Sequence, residues 1–232
     1  MNDWRLIISP EISGFENMQT DIKMFEDHEN GLISSTLRIY SWQPKCISLG
    51  YSQKIEEEID ADKASQLGWD VVKRPTGGGI VFHNEAEITY SLVTVIDNQI
   101  LPKGLVLSYI RISEAIVVGL NKIGINSSIA RIRRSSRDNL CFSYPAEYEI
   151  VVEGKKIVGS AQKRGKRTLL QQGSIFVCEI EDEVFSVLKQ PFERPNAVSV
   201  EEVLGREVMF EELCDALVGG FRDKLGIKLN DK

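Results

Sequence analysis

The chain has 232 residues, 42% hydrophobic and 27% charged, with a formal net charge of −6. That length supports one substantial core, and the acidic balance excludes a general nucleic-acid binder, whose footprint is basic overall. No run of eighteen apolar residues offers a membrane span, and four scattered cysteines with two histidines suit neither a disulfide scaffold nor a His-built zinc site.

The start, Met1-Asn2-Asp3-Trp4-Arg5, lacks the parts of a secretory signal, so a reducing cytoplasm is the expected location. Trp4 to Ser9 reads as a first strand, and Met18, Ile22 and Phe25 keep helical spacing after it. Strands are expected at Ser35 to Trp42 and Cys46 to Tyr51, joined by Gln43-Pro44-Lys45. Ile59 to Leu67 reads as a helix stopped by Gly68. Trp69 to Lys73 is strand-like and runs into Thr76-Gly77-Gly78-Gly79. Ile80 to Phe82 and Glu87 to Val95 follow as strands, the second alternating at Ile88, Tyr90 and Leu92. Leu107 to Ile123 is the clearest helix, with Ile110, Ile112, Ile116, Val117 and Leu120 on one broad face. Ser127 to Ile132, Glu147 to Val152, Lys156 to Ala161 and Leu169 to Val177 read as strands. Glu153-Gly154 supplies a hairpin turn, and Val208 to Leu225 a closing helix. Strands clustered mid-chain, with helices interspersed irregularly, predict an α+β fold rather than a doubly wound parallel sheet.

Charge is uneven along the chain. Arg131 to Arg167 holds ten basic and four acidic residues, a local +6 that leaves −12 for the remainder. A solvated face and a basic rim that steers a phosphate-bearing or acidic partner both fit.

Three segments have the residue types that chemistry needs. In Arg74-Pro75-Thr76-Gly77-Gly78-Gly79-Ile80-Val81-Phe82-His83, glycines let backbone amides approach a ligand, with Arg74 and His83 able to hold an anion or an acyl carbonyl. A plain hairpin turn is the competing reading, and neither a Walker nor a Rossmann pattern is present. In Glu149 to Gln162, strand alternation puts Lys156, Val158 and Ser160 on one face, where Lys156 is placed to pair with a phosphate or polarise a carbonyl. Cys141 sits in loop-like sequence after Arg133, Arg134 and Arg137, and nearby cations favour the thiolate. Cys46, Cys178 and Cys214 read as buried structural thiols.

Together these segments resemble the lipoate–protein ligase A and octanoyltransferase branch of the biotin/lipoyl protein ligase superfamily. Arg74 to His83 looks like its Arg-x-Ser/Thr-Gly-Gly-Gly-Ala-Val-x-His signature. Lys156-Ile157-Val158-Gly159-Ser160-Ala161 is similar to its Lys-Ile/Val-x-Gly-Ser/Ala-Ala signature. Gln172-Gly173-Ser174-Ile175 stands where the family has His-Gly-Ser/Thr-Leu/Ile, so Gln172 is a departure. The resemblance implies one class II synthetase-like catalytic domain over residues 1–232, with mixed, mainly antiparallel sheets, flanking helices and no C-terminal accessory domain. It implies attachment of an octanoyl or lipoyl group, in amide linkage, to one lysine of a lipoyl carrier domain, such as glycine cleavage H protein or 2-oxoacid dehydrogenase E2.

By the same match, Gly77, Gly78 and Gly79 would border an acyl tunnel, with Arg74 and Thr76 at the acyl carboxyl or adenylate and His83 supporting the loop. Lys156, Glu149, Gly159, Ser160, Ala161, Gln172, Gly173 and Ser174 would complete the site. Cys141-Phe142-Ser143-Tyr144-Pro145 looks like the cysteine block of the octanoyltransferases. The leading expectation is therefore transfer from acyl carrier protein, or from an already modified carrier, through a Cys141 thioester beside Lys156, without cofactor or metal. The alternatives are a ligase that uses ATP and Mg2+ to form lipoyl-AMP, with Glu149 near the nucleotide, and a non-catalytic adaptor that binds carrier proteins. Neither nucleic acid nor a membrane is an expected partner.

Overall fold

A computed structural model describes residues 3–96, 98–130, 148–191, 194 and 196–231. Eleven strands and six helices alternate irregularly among these residues: β1 (Asp3–Ile12), α1 (Gly14–Glu29), β2 (Thr36–Trp42), β3 (Cys46–Leu49), α2 (Ile55–Glu58), α3 (Ala61–Gln66), β4 (Asp70–Lys73), β5 (Val81–His83), β6 (Ile88–Val95), α4 (Leu105–Lys122), β7 (Ser128–Ile129), β8 (Ile150–Val152), β9 (Lys155–Arg164), β10 (Thr168–Ile175), α5 (Val200–Leu204), α6 (Phe210–Leu225) and β11 (Lys228–Asp231). Eight strands form one sheet in the order β11-β1-β2-β6-β10-β9-β8-β7, and β4-β3-β5 form a second. Pairing is parallel for β11-β1-β2 and for β3-β4, and antiparallel elsewhere. The mixed, mainly antiparallel α+β architecture agrees with the expectation from sequence.

Period-two alternation sorts the large sheet into two chemically different faces. Leu37 and Ile39 of β2, Ile88, Tyr90 and Leu92 of β6, and Leu169 and Ile175 of β10 share one core with Ile112 and Ile116 of α4 and Leu213, Leu217 and Phe221 of α6. The intervening residues turn toward α1, where Met24 and Phe25 pack on Val93 and Leu170. Between those contacts this second face is polar, with Arg38, Ser91 and Gln172 buried on it. The small sheet has its own core, built from Ile47, Leu49, Ile59, Trp69, Ile80 and Phe82 among others. Ser13 starts α1 by accepting the Glu16 N–H at 3.3 Å, the usual use of a serine before a helix. No helix of the described residues is long and apolar enough to cross a membrane.

Several sequence expectations are corrected. The helix predicted over Ile59 to Leu67 is shorter: only α3, Ala61–Gln66, is helical there, Asp60 caps it and the extended backbone of Ile59 pairs with Leu188, while α2 is a separate short helix just before it. The helix predicted from Leu107 begins at Leu105, capped by Gly104 rather than a side chain, so the exposed first turn has no polar marker in the sequence. β11 has no apolar run and exists through its parallel pairing with β1. In β9, the register against β8 slips: Ile150 faces Val158 but Val151 faces Lys156, which leaves Ile157 as an extra residue. That bulge breaks the alternation expected for Lys156, Val158 and Ser160. Ile157 and Val158 both enter the main core, while Lys156 and Ser160 line a cleft.

Candidate active site

The cleft opens on the polar face of the large sheet, where the small sheet meets β9 and β10, and encloses about 500 Å³, solvent at its mouth included. Its walls come from three places. Arg74, Gly78, Val81 and His83 belong to the triple-glycine segment. Glu149, Lys156, Gly159, Ser160 and Ala161 come from β9 and the residue just before β8. Gln172, Gly173 and Ser174 lie on β10. The three predicted blocks, far apart in sequence, therefore converge. Thr76, Gly77 and Gly79 do not line it. Cys141, with Arg133, Arg134 and Arg137, lies outside the described residues.

Arg74 folds the glycine segment. Its Nε and Nη2 donate to the Gly77 carbonyl at 3.3 and 2.9 Å, and Nη2 also donates to the Gly79 carbonyl at 2.5 Å. Nη1 donates to the Ser48 carbonyl at 2.9 Å and the Ser48 hydroxyl at 3.1 Å. All five guanidinium N–H groups thus point at protein acceptors, and the planar fork clamps the loop onto β3. Arg74, expected at an acyl carboxyl or adenylate, lines the cleft and braces the loop at the same time, so binding an anion directly would cost it one of these bonds. The loop needs the close approach of two glycines: a Cβ on Gly50 would lie 2.0 Å from the Gly78 carbonyl oxygen.

A second chain of contacts holds the brace. His83 Nδ1 bonds the Glu87 carboxylate, and its Nε2 meets the Ser48 hydroxyl at 2.7 Å. The same Ser48 hydroxyl accepts from Arg74, so His83, Ser48 and Arg74 form one connected chain of hydrogen bonds. Trp42 stacks on His83 with ring centroids 4.0 Å apart and donates to Thr89 Oγ1 at 3.0 Å, which donates on to Glu87 at 3.3 Å. His83 is thus joined to the Arg74 guanidinium through Ser48. Ser48, Glu87, Trp42 and Thr89 had no sequence signal, because each is an ordinary strand or loop residue until β3-β5 and β2-β6 pair.

Beneath the cleft, Asp21 of α1 is fully buried and collects donors. Arg38 Nη1 reaches it at 2.9 Å, Tyr40 Oη at 3.0 Å, Gln172 Nε2 at 2.6 Å, and the Ser91 hydroxyl also donates. Burial, and after it the Asp21 charge, pushes the Tyr40 hydroxyl well above its usual range, keeping it a donor. The other end of the Gln172 amide accepts from Thr76 Oγ1 at 2.7 Å. Gln172 therefore latches the glycine loop to Asp21 using one donor and one acceptor, the two functions a neutral imidazole would offer there, and carries no titratable proton. Met18, Tyr40, Trp42, Ser48 and Thr89 complete the lining without having been foreseen.

Lys156 is 1% exposed and donates to Glu149 Oε1 at 2.6 Å. Two local features place the pair. The 196–198 segment bonds both backbone groups of Lys156 (Asn196 carbonyl and Val198 N–H, each at 2.9 Å), and the Glu149 carbonyl accepts the Ala130 N–H at 2.7 Å. Opposite, Gly173 gives the cleft its floor: a Cβ there would sit 2.2 Å from the Tyr90 ring and 2.4 Å from Ser160 Oγ. The Tyr90 hydroxyl, pushed up to about 12 by burial, bonds Ser160 Oγ at 2.8 Å. Chemically, a buried lysine beside a wall that includes Gly159 and Gly173 is suited to polarising a carbonyl or exchanging a proton. Among the described residues no group of three or more His, Cys, Asp or Glu gathers where a metal ion could sit.

Residues 13–222 match the lipoyl protein ligase A/B catalytic domain. The octanoyltransferase LipM of Clostridioides difficile (strain 630) is 37% identical over 98% of this chain and 89% of its own length. That of Geobacillus kaustophilus (strain HTA426) is 37% identical over 97% and 87%. A lipoate-protein ligase A structure with bound ATP superposes with a TM-score of 0.81 at 25% identity, covering 99% of this chain and 88% of that one. A bi-partite lipoate protein ligase from Thermoplasma acidophilum shares the fold at a TM-score of 0.78 and 22% identity, over 100% and 87%. With the matched region spanning most of its length, the chain belongs to the lipoyl protein ligase A/B catalytic-domain family.

Proposed function

We propose that this enzyme takes an octanoyl group from acyl carrier protein and attaches it to the lysine of a lipoyl carrier domain, glycine cleavage H protein or a 2-oxoacid dehydrogenase E2, through a thioester on Cys141. The observation that carries the reading is the buried Lys156–Glu149 pair facing a cleft walled by Gly78, Gly159 and Gly173, in a chain whose relatives include octanoyltransferases. The Cys141 thiolate attacks the carbonyl of the incoming thioester, and the carrier leaves as its thiol. The acceptor lysine then attacks the Cys141 thioester, forming the amide and releasing the cysteine thiol after loss of one proton from the amine. In this reading Lys156 polarises the carbonyl and returns protons at both steps. The acyl group arrives already activated, so the route consumes no ATP and needs no metal, and it suits a reducing cytoplasm in which Cys141 stays a thiol.

The other thiols support this assignment. Burial pushes Cys46 well above its ordinary value and Cys214 up to about 12, and it also raises Cys178. None of the three is a useful thiolate at neutral pH.

Incubation of the purified enzyme with octanoyl-acyl carrier protein should give a hydroxylamine-sensitive octanoyl adduct on Cys141, read by intact mass and peptide mapping. Cys141→Ala should abolish both the adduct and modification of an added H protein. A second reading, ligation through an acyl adenylate with ATP and Mg2+, is favoured by the likeness to the ATP-bound ligase structure. Modification of the acceptor that requires free lipoate and Mg-ATP and survives Cys141→Ala would establish that reading instead.

A further inference from the structure

Past the cleft, β9 and β10 continue into a hairpin whose tip is Lys163-Arg164-Gly165-Lys166-Arg167, four basic side chains and no acidic one in an otherwise acidic chain. The tip is held from beneath. Glu29 at the end of α1 accepts the backbone N–H groups of Lys166 at 2.7 Å and Arg167 at 3.2 Å, which commits that carboxylate to the turn's backbone. Lys166 and Arg167 remain exposed.

Beside the tip lies the first turn of α4. Ser108 Oγ accepts from Arg164 at 3.2 Å and from Gln162 at 3.4 Å, and the Tyr109 hydroxyl donates to the Ser160 carbonyl at 3.2 Å. This turn presents Leu105, Val106 and Leu107 to solvent at 52, 43 and 54% exposure. Three consecutive exposed aliphatic residues against a basic hairpin form an apolar centre with a charged rim, the composition of a protein interface.

The remaining two members of the basic stretch that lie on β9 do not belong to this rim. Lys155 pairs with Glu202 at 3.5 Å, and Lys156 is buried.

We propose that the β9–β10 tip and the first turn of α4 together dock an acidic acyl carrier protein, the donor, so that its acyl group enters the cleft alongside Ser160 and Ala161. This rests on the acyl-transfer reading above. Charge selects the partner: an acidic carrier is repelled by a chain of net charge −6 except at such a patch, which therefore orients the encounter. Distance selects the donor over the acceptor. Arg164 is three strand residues beyond Ala161 of the cleft wall, about 10 Å at the usual rise. A thioester at the end of a long pantetheine arm spans that gap, and an acceptor lysine must approach more closely.

The test is steady-state octanoyl transfer by Lys166→Glu/Arg167→Glu and, separately, Leu105→Ser/Leu107→Ser, with thermal melts to verify folding. Direct binding of octanoyl-acyl carrier protein is measured in parallel at low and high salt. Both variants should raise the KM for the carrier donor about tenfold, with kcat within about twofold and loading from a small pantetheine thioester unchanged. An unchanged donor KM in a wild type that transfers, or a rise confined to the acceptor's KM, overturns the docking surface. Carrier binding that the charge reversal abolishes, in a wild type that forms no thioester, would uphold the surface while rejecting the acyl-transfer reading.

Discussion

Two buried cations flank the cleft and are held in opposite ways. Arg74 aims its five N–H groups at the Ser48, Gly77 and Gly79 acceptors that define one wall. Lys156, on the other wall, gives its ammonium to the Glu149 carboxylate. A planar guanidinium that never loses its proton suits fixed geometry, whereas a compact ammonium on a flexible stem can shift its bond or its proton during a reaction. Charge inside a site thus says little about role until the acceptors are counted.

The largest expected effect breaks the comparison on the lysine side. Lys156→Ala should lower single-turnover acyl transfer by about 10²- to 10⁴-fold, the usual range for a general acid–base group. Lys156→Arg should recover folding but little rate, because a fork cannot substitute for a movable point charge. Glu149→Gln should fall between the two. Ordinary turnover in a folded Lys156→Ala would make Lys156 a second brace.

On the arginine side the expected loss is one of stability first. Arg74→Lys offers three donors where five are used, and urea unfolding should show a decrease of about 2–3 kcal/mol. A variant within about 0.5 kcal/mol of wild type would mean that the glycine loop holds its shape through Gln172 and Thr76 alone.

The smallest effect concerns a buried base kept neutral rather than a cation kept charged. Burial, and then the Arg167 charge, holds His28 below its ordinary 6.5, beside Thr168 Oγ1 at 2.7 Å. The unfolded chain takes up this proton more readily than the folded one. The histidine's contribution is therefore complete above pH 6.5 and is lost as the pH falls through and below it. Comparing urea midpoints on either side of that pH, His28→Gln should lose less stability than wild type. Parallel losses in both proteins would remove His28 from the acid sensitivity.

How much of this was legible depends on the range of the information. The glycine segment, the Lys156 block and the Gln172 block are local patterns, and all three meet at the cleft. Glu153 and Gly154, foreseen as a turn, adopt φ of 50° and 80°, the paired positive values that match the twist of a two-residue hairpin. Ser48, Glu87, Thr89 and Trp42 were not legible, since nothing next to them in the chain marks them. Ser48 reaches His83 only because Cys46 faces His83 and Ser48 faces Val81 in the β3–β5 register. The bulge at Ile157 was hidden for a related reason: a run of Lys-Ile-Val reads as simple alternation until the β8 partner shows the slip.

By itself the sequence determined the alternation that divides the large sheet into an apolar and a polar face, the main helices and the identity of the converging blocks, because periodicity and turn chemistry act between near neighbours. Tertiary structure alone decided that Arg74 is a brace, that Gln172 latches the glycine loop to Asp21, and that Leu105 to Leu107 stand exposed beside a basic hairpin. Each of those outcomes depends on where a donor finds its acceptor or an apolar side chain its cover, and those partners come from strands and helices far away in the chain.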